Sequence, residues 1–145
     1  MSTESTVAAL ERLAIKRGLT LGNMSRPDLL LTLALASRCM PASAQCAEPE
    51  VNAALKAWLA GTGAMLQVDH VELRRTLIDF GLWERDGFGR VYRRAATVTD
   101  PELAGRVASL MALDAAGIIA ERRARHVAER ARRKELSGVQ TSAQT

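Results

Sequence analysis

The stretch from residue 69 to 94, DHVELRRTLIDFGLWERDGFGRVYRR, constrains the fold of this chain more than any other. Asp69 followed by Glu72 has the pattern of a helix N-cap with a capping box, and Gly81 is a typical helix stop. The next residues predict two short strands, at 82–85 and 91–94, around a glycine-containing turn. A helix followed directly by such a hairpin is typical of a winged helix-turn-helix, so we expect a mainly α protein of that class.

Further helices are predicted on both sides of this stretch. Apolar residues at helical spacing predict helices over about 4–17, from Ser25 as N-cap to about residue 38, and over about 49–60. The second is apolar on most sides, so we expect it to be central. Pro101 begins a helix that either breaks near Gly105 or Gly117 or continues to about residue 136.

These elements divide the chain into four segments. We expect an N-terminal helix and loop over 1–24, a winged-helix domain over 25–96, a long basic C-terminal helical extension over 97–136 and a disordered tail over 137–145. The tail is small and polar, which is typical of an unstructured terminus. Trp58 and Phe80 are expected in the core, and Trp83 and Tyr92 are expected to face each other across the hairpin.

Composition is compatible with an anionic partner but does not require one. Of the 145 residues, 20 are Lys or Arg and 16 are Asp or Glu, which gives a net charge of +4. The N-terminus lacks the pattern of a signal peptide, and the longest apolar run, LLLTLALA, is too short to cross a bilayer. We therefore expect a soluble, cytoplasmic protein with no membrane partner.

Residues that could carry catalysis or bind a metal are few and scattered. Cys39, Cys46, His70 and His126 do not have the spacing of a zinc site. There is no nucleophile motif and no glycine-rich phosphate loop. We expect no enzyme activity, no cofactor and no metal; a Cys39–Cys46 disulfide is open but disfavoured in a cytosolic protein.

The helix and hairpin of the 69–94 stretch carry the first set of candidate nucleic-acid contacts. In a winged helix one helix enters the major groove and the wing meets the backbone. The candidates are His70, Arg74, Arg75, Thr76, Arg90, Arg93 and Arg94. Against them, the stretch holds six arginines and five acidic residues, a net charge of only +1. One of Arg74 and Arg75 is alternatively expected to turn inward and pair with Glu50 or Asp79.

The C-terminal helix carries the second set of candidates. Its basic residues are Arg122, Arg123, Arg125, Arg130, Arg132, Arg133 and Lys134. They could bind nucleic acid, anionic lipid or an acidic protein. Alternatively the helix is solvated, and an apolar stripe from Leu110 to Val127 packs on the body or on a second copy, which would make a homodimer.

The segments EPEVNAALKAWL, DHVELRRTLIDFGLWERD and GRVYRR resemble a bacterial family known as domain of unknown function 2087. The resemblance covers about residues 26–94. The matching positions are Glu50, Val51, Asn52, Asp69, Leu73, Arg74, Arg75, Leu77, Asp79, Gly81, Leu82, Arg85, Gly89, Tyr92 and Arg93. The loop before Asp69 departs from the family pattern. The resemblance implies a winged-helix-like fold and no established activity.

Two functions remain in competition. The leading prediction is a nucleic-acid-binding regulatory protein of bacteria that binds double-stranded DNA. The alternative is a protein-interaction module or accessory subunit, in which the winged helix is a scaffold and the C-terminal helix docks.

Overall fold

The computed structural model describes residues 2–41 and 45–143, with side chains described as far as residue 138. This part of the chain is mainly helical and has one small antiparallel sheet. Its elements, in chain order, are α1 (Thr3–Ala14), α2 (Arg26–Ser37), β1 (Cys46–Ala47), α3 (Glu48–Ala60), α4 (His70–Asp79), β2 (Trp83–Arg85), β3 (Val91–Arg94), α5 (Pro101–Met111) and α6 (Ala115–Ala143).

The sheet joins the hairpin to the start of α3. Its strand order is β1-β3-β2, with both pairs antiparallel, and Glu84 lies opposite Arg93. The predicted hairpin is confirmed to within one residue, whereas β1 was expected to be loop. The order of elements from α2 to β3 is consistent with a winged-helix-like fold. Trp83 and Tyr92 are both buried, but the register pairs them with Arg94 and Arg85, so they lie diagonally rather than opposite.

Helix α2 is at the centre of the core, as its composition predicts. Leu30, Leu31 and Leu33 are fully buried, and Trp83 Nε1 donates to the carbonyl oxygen of Ser37 at 2.9 Å. That bond fixes the hairpin to the C-terminal end of α2. Trp58 and Phe80, expected inside, are only partly buried against the core, because each lies in the last turn or C-cap of its helix, where part of the ring reaches solvent.

The region after the hairpin forms two helices separated by a short break. α5 packs on α2 and α6 packs on α1. The break falls at 112–114, where Asp114 Oδ1 accepts from the Gly117 N–H at 3.1 Å and so begins α6. The break between the helices does not fall at Gly105 or Gly117 itself. Its position is set by the side chain of Asp114, which caps the N-terminus of α6.

Helix lengths differ from prediction at both ends of the chain. α1 ends at Ala14, not near residue 17: Ile15 is its C-cap, and Gly18, three residues later, has a positive φ of 69°. α6 continues to Ala143, through most of the segment that was expected to be disordered. No proline follows residue 136 to stop it, and Gly138 alone costs only about 1 kcal/mol. Residues 144–145 lie outside the described part.

Across the described residues, no single helix combines the length and apolarity that a membrane span requires. The pair Pro101–Met111 and Ala115–Gly138 meets that test only when joined, and the two helices are bent by 74°.

Candidate nucleic-acid interface

Arg74, the first predicted base-contacting arginine of α4, faces the interior of the domain. Its Nη1 donates to Asn52 Oδ1 at 2.5 Å and lies 3.1 Å from Glu48 Oε1. Its guanidinium lies 5.7 Å from the centre of the Tyr92 ring, and its side chain is 12% exposed. Arg74 therefore joins α4 to α3 and β3. Its role as a nucleic-acid contact stays a prediction, and the structure assigns its charge to partners inside the domain.

The inward turn of one arginine was predicted, but its partner was not. Glu50 and Asp79 were the expected acids, whereas Glu48 and Asn52 are the observed partners. The reason is helical geometry: residues 48 and 52 are one turn apart on the face of α3 that meets α4, and residue 50 points about 160° away from that face.

The outer face of α4 keeps one arginine among acidic neighbours. Arg75 is exposed and has no ion pair within the described residues, while Glu72 and Asp79 lie one turn away on either side. The Thr76 hydroxyl donates to the carbonyl of Glu72 at 2.8 Å, and His70 is half-buried in the first turn. The outer face is therefore electrically mixed.

The turn of the hairpin is held by hydrogen bonds to Asp86 and presents Arg90 beside an exposed ring. Asp86 Oδ1 accepts from the Arg90 N–H at 2.8 Å, and this backbone hydrogen bond is the main cause of the lowered pKa of Asp86. The Arg90 guanidinium lies 5.8 Å from the centre of the Phe88 ring, which is 83% exposed. An accessible cation and an accessible ring thus lie together at the tip.

The other two predicted arginines of the hairpin have partners inside the protein. Arg93 pairs with Glu84 across the strands at 2.9 Å. Arg94 Nη2 donates to the carbonyl of Arg38 at 2.8 Å, at the C-terminal end of α2, and burial lowers the pKa of Arg94. Both stay predicted contacts, but a cross-strand acid pairs with Arg93, and Arg94 donates to a carbonyl oxygen at the end of a helix.

Arg85 is the hairpin residue that the predicted set omitted. Its side chain is exposed and lines a shallow cleft with Arg75, Ile78 and Asp79. The fold thus brings Arg75 and Arg85 together, with one acid beside them. The alternation of side chains along a strand predicts the position of Arg85. Residues 83 and 85 lie on the same side of β2, and Trp83 is buried, whereas Arg85 lies beyond the edge of the core.

The first half of α6 uses its arginines to attach the helix to the body. Arg123 donates to the carbonyl oxygens of Ala14, Gly61 and Thr62 at 2.8–2.9 Å, at the C-terminal ends of α1 and α3. Arg125 pairs with Glu11 at 2.6 Å. Arg122 is largely buried and lies 3.8 Å from Glu129.

The role of these three residues as nucleic-acid contacts stays a prediction, but all three have partners within the protein. Sequence reasoning treated Arg122, Arg123 and Arg125 as one basic run with the residues that follow. Arg123 binds there because helix C-terminal carbonyls carry partial negative charge and lack partners within their own helices.

The second half of α6 is exposed and strongly basic. Arg130, Arg132, Arg133 and Lys134, the distal basic cluster, are exposed and have no ion pair within the described residues. At 100° per residue they project in directions of about 0°, 200°, 300° and 40° around the helix. The cluster therefore presents positive charge on most sides of the helix rather than on one face.

The two large apolar side chains that the structure shows exposed on α6 do not form a stripe. Val127 and Leu136 are 66% and 64% exposed. They are nine residues apart, which places them on opposite sides of the helix. Of the predicted apolar stripe, Leu110 and Ile119 are buried in the core, as the alternative of packing on the body expects, whereas Val127 is exposed.

Among the described residues, the cysteines and other potential metal ligands form neither a reactive-thiol site nor a metal site. Cys39 and Cys46 are free thiols, and burial raises the pKa of Cys39 to about 11. A thiol with a raised pKa is a poor nucleophile near neutral pH. Within the described residues, no three His, Cys, Asp or Glu side chains gather as a metal site would require.

A family model described as "Uncharacterized protein conserved in bacteria (DUF2087)" matches residues 24–94. Residues 24–94 are similar to that family. The match runs from just before α2 to the end of β3 and confirms the resemblance seen in the sequence. In the DUF2087 segment, Arg74 is the matched arginine that the fold holds inside. α1, α5 and α6, with the distal basic cluster, lie outside the match. No curated protein and no solved structure matches the chain significantly.

Proposed function

We propose that the protein binds nucleic acid, specifically double-stranded DNA, as a regulatory protein of bacteria, and that the distal basic cluster supplies most of the affinity. The observation that carries the proposal is the set of four exposed cations within residues 130–134, on a helix that leaves the body of the protein. Internal acids neutralise Arg74 and Arg93, so the DUF2087 segment has less charge to offer.

The distribution of charge around α6 favours duplex DNA over a membrane. A helix in the major groove has phosphates on both of its sides, so cations projecting in several directions can all contact them. A helix lying on a lipid surface needs an apolar face opposite its basic face. Val127 and Leu136, the large apolar residues that the structure shows exposed on α6, lie on opposite sides of the helix and do not share one face.

The DUF2087 segment would make the weaker and more selective contacts. Arg75 and Arg85 share a cleft on the outer face, and Arg90 lies at the hairpin tip. In the winged-helix mode Arg75 and Thr76 of α4 would approach base edges, while Arg85 and Arg90 would meet phosphates. The adjacent carboxylates of Glu72 and Asp79 repel DNA phosphates and so oppose tight binding. This surface would therefore contribute to the choice of DNA sequence more than to the affinity for DNA.

The proposal is tested by binding to a random-sequence duplex, followed by fluorescence anisotropy at several salt concentrations. Neutralising the cluster (Arg130→Gln, Arg132→Gln, Arg133→Gln, Lys134→Gln) should reduce the slope of log K against log salt by about 0.9 for each lost phosphate contact. The matched control (Arg130→Lys, Arg132→Lys, Arg133→Lys) keeps the charge and should keep the slope. Equal slopes in the two variants would contradict the proposal, as would no binding by the wild type at low salt.

A protein-interaction module is the second candidate. Met111, Val127 and Leu136 are large apolar side chains that remain exposed on α5 and α6, and they could contact a protein partner or a second copy. Apolar docking responds little to salt, whereas phosphate contacts weaken steeply. Sedimentation at 50 mM and 500 mM NaCl separates the two: a dimer that persists at both concentrations and is lost in Val127→Glu supports docking.

A further inference from the structure

A cleft of about 720 Å³ lies where α1, the turn after α3 and the first turns of α6 meet. Buried Met65 and Ile119 line it. Its remaining walls are mostly small residues, which leave the space open: Ala14, Ala60, Gly61, Ala64, Ala116, Gly117 and Ala120. The cleft is large enough for a small organic molecule and has apolar atoms to contact one.

The charged residues of the cleft are all cationic. Lys16, Arg17 and Arg123 line it, and none of the described residues that line it is acidic. Burial lowers the pKa of Arg123, and the nearby positive charge of Arg17 lowers it further. Two like charges thus line one cleft that has no acidic residue among its described walls.

The existing partners of these cations leave positive charge available. The guanidinium of Arg123 donates hydrogen bonds to backbone carbonyl oxygens, which carry only partial negative charge. Lys16 is 3.8 Å from Asp28, but that carboxylate is already bound by Arg12 at 2.6 Å. Arg17 is exposed and has no ion pair within the described part of the chain.

We propose that this cleft binds a small organic anion, with a carboxylate, phosphate or sulfonate group against Arg17 and Lys16 and an apolar body over Met65 and Ile119. Arg123 would add its field from the wall while holding α6 in place. The concave shape and the mostly apolar lining suit a small ligand. This site is separate from the distal basic cluster, so it stands or falls independently of DNA binding.

The test compares two fluorescent probes that share an aromatic body. 8-Anilinonaphthalene-1-sulfonate carries an anionic group, and N-phenyl-1-naphthylamine lacks it. In titrations of the full chain, the sulfonate should bind at least about tenfold more tightly than the neutral probe, since a hydrogen bond to a charged group has that effect. Equal affinities would overturn the proposal.

Three variants then locate the binding. Arg17→Gln should weaken sulfonate binding about tenfold, and Ala120→Met should abolish it by filling the cleft. Lys56→Gln, which removes an exposed cation on α3, should leave it unchanged. Circular dichroism melts confirm that each variant is folded. Unchanged binding in both cleft variants, or its loss only when the distal basic cluster is neutralised, would overturn the proposal.

Discussion

At the scale of single residues, Arg74 and Arg75 show how adjacent, identical side chains acquire different roles. They are about 100° apart on α4, so only one can reach α3. Arg74 does so, through Asn52 and Glu48. Arg74→Ala leaves those groups without their partner, and we expect it to destabilise the fold by about 2 kcal/mol in urea denaturation.

Arg75→Ala is the matched control for that measurement. Its side chain is exposed, so the free energy of unfolding should change by no more than about 0.5 kcal/mol. The assignment of Arg74 as structural would be wrong if Arg74→Ala were as stable as Arg75→Ala but bound DNA more weakly.

Cys39 gives a prediction about pH at the same scale. Burial raises the pKa of its thiol from 9.0 to about 11, so the folded state favours the protonated form. The stabilisation is complete below pH 9 and is lost as pH rises towards 11. The difference in unfolding free energy between wild type and Cys39→Ala should therefore shrink from pH 8 to pH 10.5. A difference that is constant over this range would contradict it.

At the scale of elements, the turn after α3 depends on a glycine. A Cβ at Gly63 would lie 2.3 Å from the Trp58 ring, whereas a Cβ at Gly22 would meet nothing within 4 Å. We expect Gly63→Ala to destabilise the protein by about 1–3 kcal/mol. Gly22→Ala, the control, should be neutral or slightly stabilising. Equal thermal midpoints for the two variants would show that Trp58 moves aside freely.

The elements that sequence predicts well are those whose signals are local. Ser25 and Asp69 cap α2 and α4 through their own side chains, and Gly81 follows α4 with a positive φ. β1 was missed because two residues, Cys46 and Ala47, become a strand only by pairing with β3. Pairing between distant segments leaves no pattern in so short a run.

The candidate site was predictable in composition but not in geometry. The sequence identifies the arginines of α4, the hairpin and α6. It cannot tell that Arg123 reaches carbonyls more than 60 residues away, or that Arg94 reaches the end of α2. Such contacts depend on how helices pack, and one sequence without relatives contains no information on which helices are neighbours.

At the scale of the whole molecule, the positive charge has two distinct uses. Arginines near the body hold elements together: Arg74 joins α4 to α3, and Arg123 joins α6 to α1 and α3. Arg130, Arg132 and Arg133 are exposed, have no ion pair among the described residues and remain available to a polyanion. The net charge of the chain is only +4, although its distal basic cluster is strongly positive.

The most direct test of this account compares two neutralised variants on one duplex. One carries Arg130→Gln, Arg132→Gln and Arg133→Gln, and the other carries Arg75→Gln, Arg85→Gln and Arg90→Gln. Each loses three positive charges, so net charge cancels from the comparison. We predict that the salt slope of DNA binding falls by about 2–3 in the α6 variant and by less than about 1 in the other. A larger loss in the Arg75, Arg85 and Arg90 variant would contradict the assignment of affinity to α6.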